Sequence, residues 1–586
     1  MRDLYHELAE YVSAKEYSRI EKSTFNNVEE NARHLSFAPD EDHSNEIIQF
    51  YALQNEYMKE SHIPGLRTLL VVQKDELKDE RNALHINFPR GMFKILGCLR
   101  ALDLSNTNME HLPHSVGELI HLRYLSLENT KIKYLPESIS ALFKLHSMNL
   151  KCCNNLSELP KGIKFLTNLR HLELPSMDDW NMNMPCGIGE LTNLQTMHVI
   201  KVGSDLGSCG IADLANLNKL RGELCISGIE NVPSAQITPE ASIKNKGELR
   251  KLILHWSSIA SMFSYDASSV LDSLQPHPDL EELTIKGFSG VRFPLWLGNQ
   301  YMFSLSILEL KDCRNCKELP SLGRLPCLKH LSINSLTSIK HVSRMVSVHE
   351  EINCGDYRSS ISTAFPTLET LKFSNMDSWE LWDELEARDF PCLRHLTIMR
   401  CSKLSGLPNL QALQNLRIKN CENLLELPNF PSLQCIKIEG FWSVNQILQL
   451  PIFSHIEPLE LRCHKKLVSV KKIQNPVLHS LSLKQKGSLH KVSGCQVLPF
   501  HNLFVQDSQT TWTFLRCARR IHDCSCNFIA FTDLTFGQTN VYPSKVEICK
   551  DVSFHAGHSE DVELVSCKPV WVQMGQPEDS EPVYID

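Results

Sequence analysis

The sequence predicts an α/β solenoid with a parallel sheet on its concave face, and three observations support this prediction. The chain has 586 residues and is 42% hydrophobic but only 8% aromatic, so its apolar content is mainly aliphatic. A short motif of regularly spaced leucines recurs along most of the chain. In several copies a Leu-Pro step follows, which predicts a turn and a short helical segment on the convex side. Such an array buries its leucines only when its units stack.

The recurring motif has the form LxxLxL, whose last three positions alternate like a strand. It is clearest at residues 99–104, 122–127 and 169–174. Roughly eighteen copies at a usual spacing of about 20–25 residues match the period of a leucine-rich repeat. The predicted fold is therefore a leucine-rich-repeat solenoid, a horseshoe preceded by a short helical N-terminal segment. Further copies begin near Leu66, Leu145, Leu194, Leu220, Leu249, Leu280, Leu305, Leu328, Leu368, Leu393, Leu413, Leu433, Ile456, Leu478 and Phe500.

The second half of a regular unit begins with a proline, as at Pro113, Pro136 and Pro160. The fixed φ of proline suits a turn or a first helical position, so the chain is predicted to leave the strand side there. The apolar residues that follow, such as Ile139 and Leu142, are predicted to face inward from a short helix or 3₁₀ turn.

The regularity of the repeat divides the chain into segments. Residues 96–510 carry the leucine-rich repeats, and residues 31–95 form the repeats and linker that lead into the array. Residues 511–575 are predicted to be degenerate repeats or a C-terminal cap, and the acidic residues 576–586 a disordered tail. A polar stretch at 345–363 widens the spacing of two repeats and predicts an inserted loop.

Composition excludes several classes of function. The net charge of −8 argues against a nucleic-acid partner, since such partners favour basic surfaces. No apolar run approaches the roughly 18–20 residues of a membrane span, and no secretory signal is apparent. The 21 cysteines therefore suggest reduced thiols in a cytoplasmic protein, with a nucleocytoplasmic distribution as the alternative. No phosphate loop, dinucleotide fingerprint or nucleophile elbow occurs, so we expect neither an enzyme nor a cofactor.

One pair of cysteines, Cys313 and Cys316, has the CxxC spacing of zinc and redox sites. The repeat offers a simpler explanation. Cys153, Cys313, Cys401 and Cys421 each follow the last apolar strand residue by three positions, where leucine-rich repeats place an inward-facing Asn or Cys. We therefore expect these thiols to be packing residues rather than metal ligands.

A second group, Cys517, His522, Cys524 and Cys526, is denser and has the residue types that bind zinc. Its spacing lacks the paired knuckles of a zinc site. Because the group lies where the repeat decays, a buried capping cluster is the favoured interpretation, and a metal site is the alternative.

The alternation within the motif predicts which side chains meet a partner. If the leucines point inward, the residues between and just after them line the concave face. A standard interface buries about 800 Å² of each partner, and the extended concave face of a solenoid offers more surface than that. Charge on this face changes from acidic or neutral early to basic late, which predicts an acidic partner for the late stretch. The predicted partner-binding residues are Asp103, Ser105, Ser126, Glu128, Lys151, Glu173, Lys286, Lys311, Arg417, Lys419, Lys437 and Arg462.

Several segments together resemble one protein family. Met1, Arg2 and Asp3 are similar to the Met-His-Asp motif that closes the nucleotide-binding module of plant intracellular nucleotide-binding leucine-rich-repeat immune receptors of the coiled-coil class. Residues 31–37 and 293–297 resemble that family's first repeat strand and a phrase common in its repeats. Residues 1–30 would then be a remnant of the winged-helix region that ends the nucleotide-binding module.

The resemblance implies a disease resistance and defence function. The repeats would recognise a pathogen effector or a guarded host protein and would regulate a nucleotide-binding switch, and that module is a second candidate partner for the late basic stretch. Arg2 departs from the family motif, which has His there, and only Met1 and Asp3 match it. The phosphate loop is missing, so ATP or ADP is expected only in a full-length relative. The resulting expectation is a truncated receptor, the product of a split gene or a gene-model fragment.

Two alternatives stay open. A general cytosolic leucine-rich-repeat scaffold, such as a ubiquitin-ligase adaptor, would need an F-box-like N-terminal segment, whereas residues 1–30 resemble the receptor remnant. An extracellular receptor domain would need a signal peptide, paired capping cysteines and a repeat of the GxIP type.

Overall fold

A computed structural model describes the chain in segments separated by gaps. The described residues are 16–20, 32–37, 48–49, 65–71, 86–88, 91–175, 184–205, 207–232, 243–257, 267–298, 301–342, 364–382, 387–424, 427–428, 430–440, 459–463, 480–485, 502–506, 512–515, 528–531, 545–556 and 562–573. The chain divides into two compact units, Met1–Phe288 and Ser289–Asp586. Short parallel strands and few helices establish the α/β leucine-rich-repeat solenoid that the sequence predicts.

The first unit is built on parallel strands that follow chain order. Its strands are β1 (Tyr17–Ile20), β2 (His34–Phe37), β3 (Ile48–Gln49), β4 (Thr68–Val71), β5 (Ile86–Asn87), β6 (Ala101–Asp103), β7 (Tyr124–Ser126), β8 (Ser147–Asn149), β9 (His171–Glu173), β10 (Val199–Lys201), β11 (Gly222–Ser227), β12 (Leu249–His255) and β13 (Glu282–Lys286). Strands β1, β2, β4 and β6 to β9 form a seven-stranded sheet, β10 to β13 pair in succession, and β3 pairs with β5. Two short helices, α1 (Met92–Ile95) and α2 (Ala267–Ser273), belong to this unit.

The second unit begins in the same way and then changes strand direction. Its strands are β14 (Ile307–Lys311), β15 (His330–Asn334), β16 (Thr370–Ser374), β17 (His395–Met399), β18 (Asn415–Lys419), β19 (Cys435–Gly440), β20 (Leu459–Cys463), β21 (Ser480–Gln485), β22 (Asn502–Gln506), β23 (Trp512–Leu515), β24 (Phe528–Phe531), β25 (Lys545–Ala556) and β26 (Val562–Gln573). Strands β14 to β22 are parallel, and β22 to β26 pair antiparallel. The change of direction falls between β22 and β23.

Every copy of the repeat motif predicted from Leu66 to Phe500 contains a strand. The copy at Leu66 contains β4, and the later copies contain β6 to β22 in chain order. Three strands, β1 to β3, precede these copies, and β2 lies within residues 31–37, which resemble the family's first repeat strand. Strand β1 pairs in parallel with β2, although it lies inside the range 1–30 predicted to be a winged-helix remnant. The repeat sheet therefore begins before the predicted boundary at residue 31. Residues 17–20 have no LxxLxL pattern, and they join the sheet through backbone pairing with β2 and a contact of 2.5 Å between Tyr17 Oη and Ser36 Oγ.

The motif's leucines form the core, as predicted. Leu122, Leu125 and Leu127 of one repeat are fully buried, and so are the equivalent residues of neighbouring repeats. On the other side of each of these units lie short 3₁₀ helices rather than α-helices. Examples are His114–Glu118, Glu137–Ala141 and Lys161–Phe165. Each follows a proline whose backbone is still extended, so the proline precedes the helix instead of starting it.

A left-handed residue turns the chain away from the strand in many repeats. It stands two positions after the last inward strand residue, and it is a glycine in two repeats, Gly228 at φ 71° and Gly287 at φ 73°. The non-glycine residues with positive φ at this position are Asn106, Asn129, Cys152, Asp312, Ser335, Asn375, Arg400 and Asn420. Asparagine is frequent here because its short polar side chain tolerates the left-handed region.

Among the residues that the structure describes, no helix is both long and apolar enough to cross a membrane.

Candidate protein-interaction surface

The alternation of buried and accessible residues defines the candidate surface. In β14, Leu308 and Leu310 are buried, whereas Ile307, Glu309 and Lys311 are half-buried on the other side. Successive strand residues point to opposite sides of a sheet, so the equivalent positions of neighbouring strands lie in rows. We call this side, opposite to the leucine core, the sheet face. It is described for each unit separately.

Early in the first unit, the predicted partner-binding residues bind one another. Asp103 Oδ1 accepts hydrogen bonds from the backbone nitrogen of Ser105 at 3.0 Å and from its Oγ at 2.5 Å. Ser105 Oγ also lies 2.7 Å from Ser126 Oγ. Asp103 and Ser105 remain half-buried, but Ser126 is only 1% exposed. The prediction that Ser126 meets a partner is therefore wrong, because this short side chain lies between Asp103 and Asn149 of the flanking strands.

Further along the first unit, the charged groups of the sheet face are paired. Glu128 Oε2 accepts a hydrogen bond from Asn149 Nδ2 at 2.8 Å. Lys151 Nζ and His198 Nδ1 each lie 3.4 Å from Glu173 Oε2. Lys151 therefore balances the charge of Glu173, whereas the partner of Glu128 is a neutral amide, and the remaining negative charge disfavours a polyanionic partner on this face. Lys286, at the end of β13, is half-buried.

In the second unit, one buried carboxylate binds two of the predicted basic residues. Glu439 is 3% exposed, and its Oε1 lies 3.2 Å from Arg417 Nη2 while its Oε2 lies 2.9 Å from Lys419 Nζ. Register explains the contact, since Lys419 is the Cα partner of Glu439 and Arg417 that of Lys437. The positive charge of the basic stretch is therefore partly neutralised by Glu439 of the same sheet. Lys311 is likewise paired, with Glu309 at 2.5 Å.

This pairing changes how the basic stretch can be tested. The sequence suggests that charge reversal at Arg417, Lys419 and Lys437 would weaken binding of an acidic partner. Reversal at Arg417 or Lys419 would also place a carboxylate against Glu439 and destabilise the strand. Lys437 is half-buried in the same row as Arg417.

The cysteines of the repeat are packing residues, as predicted. Cys313 and Cys316 are both buried, and their Sγ atoms donate to Lys311 O at 3.3 Å and Gly290 O at 3.2 Å. Burial raises the pKa of the Cys316 thiol, which keeps it protonated and unreactive. Cys153 donates to Leu127 O at 2.9 Å in the same manner, and burial raises its pKa.

Cys401 and Cys421 occupy the same position in successive repeats and are buried. The hydrogen bond that the Cys401 thiol donates to Cys421, together with burial, raises the pKa of Cys401. Within the segments that the structure covers, no three side chains of metal-ligand type form a cluster.

Several other predictions lie outside the described residues or side chains. They concern Met1, Arg2 and Asp3, the loop 345–363, Arg462, the group Cys517, His522, Cys524 and Cys526, and the tail 576–586.

One set of surface residues was missed by reasoning from the sequence. The residue directly after the first leucine of the motif lies at the amino end of each strand, and it is repeatedly an arginine. Comparing the residue types at that one motif position in successive repeats would have identified the set from the sequence. Its members in the first unit include Arg33, Arg67, Arg100, Arg123, Arg170 and Arg221.

Comparisons with known proteins agree with this architecture. Residues 211–336 match the family model of R13L1/DRL21 leucine-rich repeats. A protein of Arabidopsis thaliana named as a disease resistance protein is 34% identical over 440 residues, which are 70% of this chain and 28% of the relative. Disease resistance protein RGA2 of Solanum bulbocastanum is 31% identical over 326 residues, 54% of this chain and 32% of the relative.

A solved leucine-rich-repeat protein of Leptospira interrogans is 17% identical, with a TM-score of 0.37, and the match covers 74% of this chain and 84% of that one. The chain spans less than a third of the length of the two plant relatives.

Proposed function

We propose that this chain acts in disease resistance as a protein-recognition module. Residues 211–336 match the R13L1/DRL21 leucine-rich-repeat family, and the chain is similar to plant disease resistance proteins. Its recognised partner is a pathogen effector or a host protein. We propose further that these repeats regulate a nucleotide-binding switch, use no cofactor of their own and act in the cytoplasm.

The observation that carries this proposal is the polar sheet face. His330, Lys372 and His395 lie on three successive strands and are all exposed. The leucines behind them are buried, so the backbone beneath this surface is fixed before a partner arrives. A rigid surface loses little conformational entropy on binding, which favours recognition of another protein. Exposed histidines and a lysine in such a place have no role in the core.

Proximity labelling in plant leaf cells tests the proposal. Three versions of the chain would carry the labelling enzyme: wild type, a sheet-face variant and a control variant. The sheet-face variant combines His330→Glu, Lys372→Glu and His395→Glu. The control combines Arg292→Glu and Lys340→Glu, which are exposed outside the strands and give the same change in net charge when the histidines are neutral.

We expect a set of proteins that is labelled by wild type and by the control variant but lost with the sheet-face variant. The wild-type chain should also change pathogen growth in challenged leaves, and the sheet-face variant should not. An identical labelled set for all three versions would contradict recognition through the sheet face. Unchanged pathogen growth with wild type would contradict the role in disease resistance.

A further inference from the structure

Two cysteines of the second unit occupy the same position in successive repeats. Cys401 and Cys421 each follow the last inward strand residue by three positions, and both are almost completely buried. Strands β17 and β18 precede them, and the register between these strands pairs Met399 with Lys419. The backbone nitrogen of Arg400 then donates to Lys419 O at 2.7 Å. The two segments therefore stay side by side up to the first cysteine.

Backbone and side-chain contacts place the two thiols close together. Adjacent strands lie about 4.8 Å apart, which is within the about 4.4–6.8 Å between Cα atoms that a disulfide bond needs. Cys401 Sγ donates to Met399 O at 3.5 Å, and Cys421 Sγ donates to Ile398 O at 3.8 Å. The two sulfur atoms therefore lie beside successive carbonyl groups of β17. Neither cysteine forms a disulfide bond in the structure.

The first unit contains an example of two side chains at this position. Thr130 and Cys153 also follow the last inward strand residues of successive repeats by three positions, and Thr130 Oγ1 lies 3.4 Å from Cys153 Sγ. Side chains at this position of successive repeats can therefore touch. Cys313 has Leu336 at this position of the following repeat, so that repeat offers it no second thiol.

The contact makes the two thiols chemically different. The hydrogen bond from the Cys401 thiol lowers the pKa of Cys421, although burial opposes this change. A thiolate is the reactive form of cysteine, so Cys421 is the member of the pair that reacts first with an oxidant. Each cysteine lies next to an exposed residue of its turn, Arg400 or Glu422. Local opening of that turn brings a small neutral molecule to the sulfur atoms.

We propose that Cys401 and Cys421 are an oxidation site that hydrogen peroxide converts into a disulfide bond between two repeats. The Cys421 thiolate attacks one oxygen of the peroxide and breaks the O–O bond, which gives a sulfenic acid and hydroxide. The hydroxide becomes water by taking the proton that Cys421 released. The Cys401 sulfur then attacks the sulfenic sulfur, so the S–S bond forms as the S–O bond breaks, and the second water leaves with the proton of Cys401. Two thiols and one peroxide thus yield one disulfide and two water molecules.

The disulfide joins the turns that follow β17 and β18 and closes a loop from residue 401 to residue 421. Such a cross-link restricts the unfolded chain and stabilises the two repeats. Because His395 lies on β17 and Arg417 on β18, it also holds two strands of the sheet face together. In a reducing cytoplasm the pair stays as thiols until peroxide rises. This inference goes beyond the proposed function, because the oxidation needs no partner protein.

Peroxide treatment of the purified full chain tests the proposal. After treatment, the remaining thiols are blocked by alkylation, and the chain is digested after Lys, Arg and Glu. This digestion separates Cys421 from Cys435, so the proposed disulfide appears as residues 401–403 linked to residues 420–422. Mass spectrometry identifies the linked peptides, which should disappear when a reductant is added before alkylation.

Two other cysteines of the same chain are internal controls. Cys153 is buried like the proposed pair, but Thr130 is its neighbour at this position, so Cys153 should be recovered as a thiol. Cys327 is exposed, and its oxidation shows that the peroxide dose is sufficient. The variant Cys401→Ser removes the second thiol and should give no linked peptides.

We expect the linked peptides in most chains at a dose that leaves Cys153 reduced. Hydrogen exchange in β17 and β18 should slow roughly tenfold or more after oxidation of wild type, but not of Cys401→Ser. Recovery of both thiols at a dose that oxidises Cys327 would overturn the proposal. So would disulfides from Cys401 or Cys421 to other cysteines in place of this link. The wild-type measurement does not depend on whether a variant folds, and either result leaves the labelling test of the proposed function unaffected.

Discussion

At the scale of single residues, Lys246 shows how a charged group can serve the core of a repeat array. It is 1% exposed, and its Nζ donates to the backbone oxygens of Leu214 at 2.7 Å and Leu217 at 3.1 Å. These carbonyls end the 3₁₀ helix Ile211–Leu214 and its following turn, so the lysine satisfies acceptors of the preceding repeat. Burial lowers the pKa of Lys246 from 10.5 to about 8.

The lowered pKa of Lys246 predicts an unusual dependence of stability on pH. Between pH 8 and 10.5 the unfolded chain holds a proton that the folded chain has released, so folding becomes more favourable as pH rises through this window. Relative to Lys246→Met, wild type should gain up to about 3 kcal/mol between pH 7.5 and 10.5. Urea unfolding of both chains, followed in the first unit, measures this difference.

The exposed neighbour Lys244 supplies the control for this prediction. Lys244→Met should follow the wild-type pH profile, because the Lys244 side chain is exposed to solvent and its removal leaves the buried Lys246 in place. Parallel profiles for wild type and Lys246→Met would show that Lys246 is not perturbed by burial.

At the scale of the repeat element, the left-handed turn after the strand controls how closely successive repeats approach. A Cβ atom on Gly228 would lie 2.2 Å from Val202 O, and one on Gly287 would lie 2.2 Å from Trp256 O. Both contacts are with the backbone of the preceding repeat, which cannot move aside. Glycine at these two turns is therefore needed for contact between repeats as well as for its positive φ.

Gly287→Ala should destabilise the end of the first unit by about 1–3 kcal/mol, since it combines a strained φ with a backbone clash. Gly406→Ala is the matched control, because a Cβ there meets nothing within 4 Å. Thermal unfolding and hydrogen exchange in β12 and β13 measure the effect. Equal behaviour of the two variants would mean that the turn relaxes without cost.

At the scale of the whole molecule, each strand depends mainly on its two neighbours. Strand β7 pairs with β6 through Leu125 and Leu102, and with β8 through Leu125 and Met148. Stability in such an array is nearly a sum of local repeat and interface contributions. Damage in one repeat should therefore fall mainly on its neighbouring repeats.

Leu125→Ala tests this local coupling, because Leu125 is fully buried in the middle of a row of leucines. We expect a loss of about 2–5 kcal/mol in local protection. Hydrogen exchange followed by mass spectrometry should show it in β6 to β8, while protection in β14 to β19 stays unchanged. Leu295→Ala, at a side chain that is 93% exposed, should change protection nowhere. Uniform loss across both units would instead indicate a single cooperative molecule.

The sequence by itself determined the repeat, the strands, the buried leucines and the inward cysteines. These features depend on the period of apolar residues within a single unit, and that period can be counted along the chain. It also showed that the residues between the leucines face outward, which located the candidate surface on the strands.

Only the tertiary structure decided which outward residues are available to a partner. Ser126 is covered by its neighbours, and Glu439 binds Arg417 and Lys419 from the next strand. The arginines at the amino ends of the first unit's strands likewise line up only because register aligns one position of successive repeats. Each of these contacts joins residues about twenty or more positions apart, through the register between strands. The period within one repeat carries no information about that register, so charge pairing across the sheet is visible only once the strands are stacked.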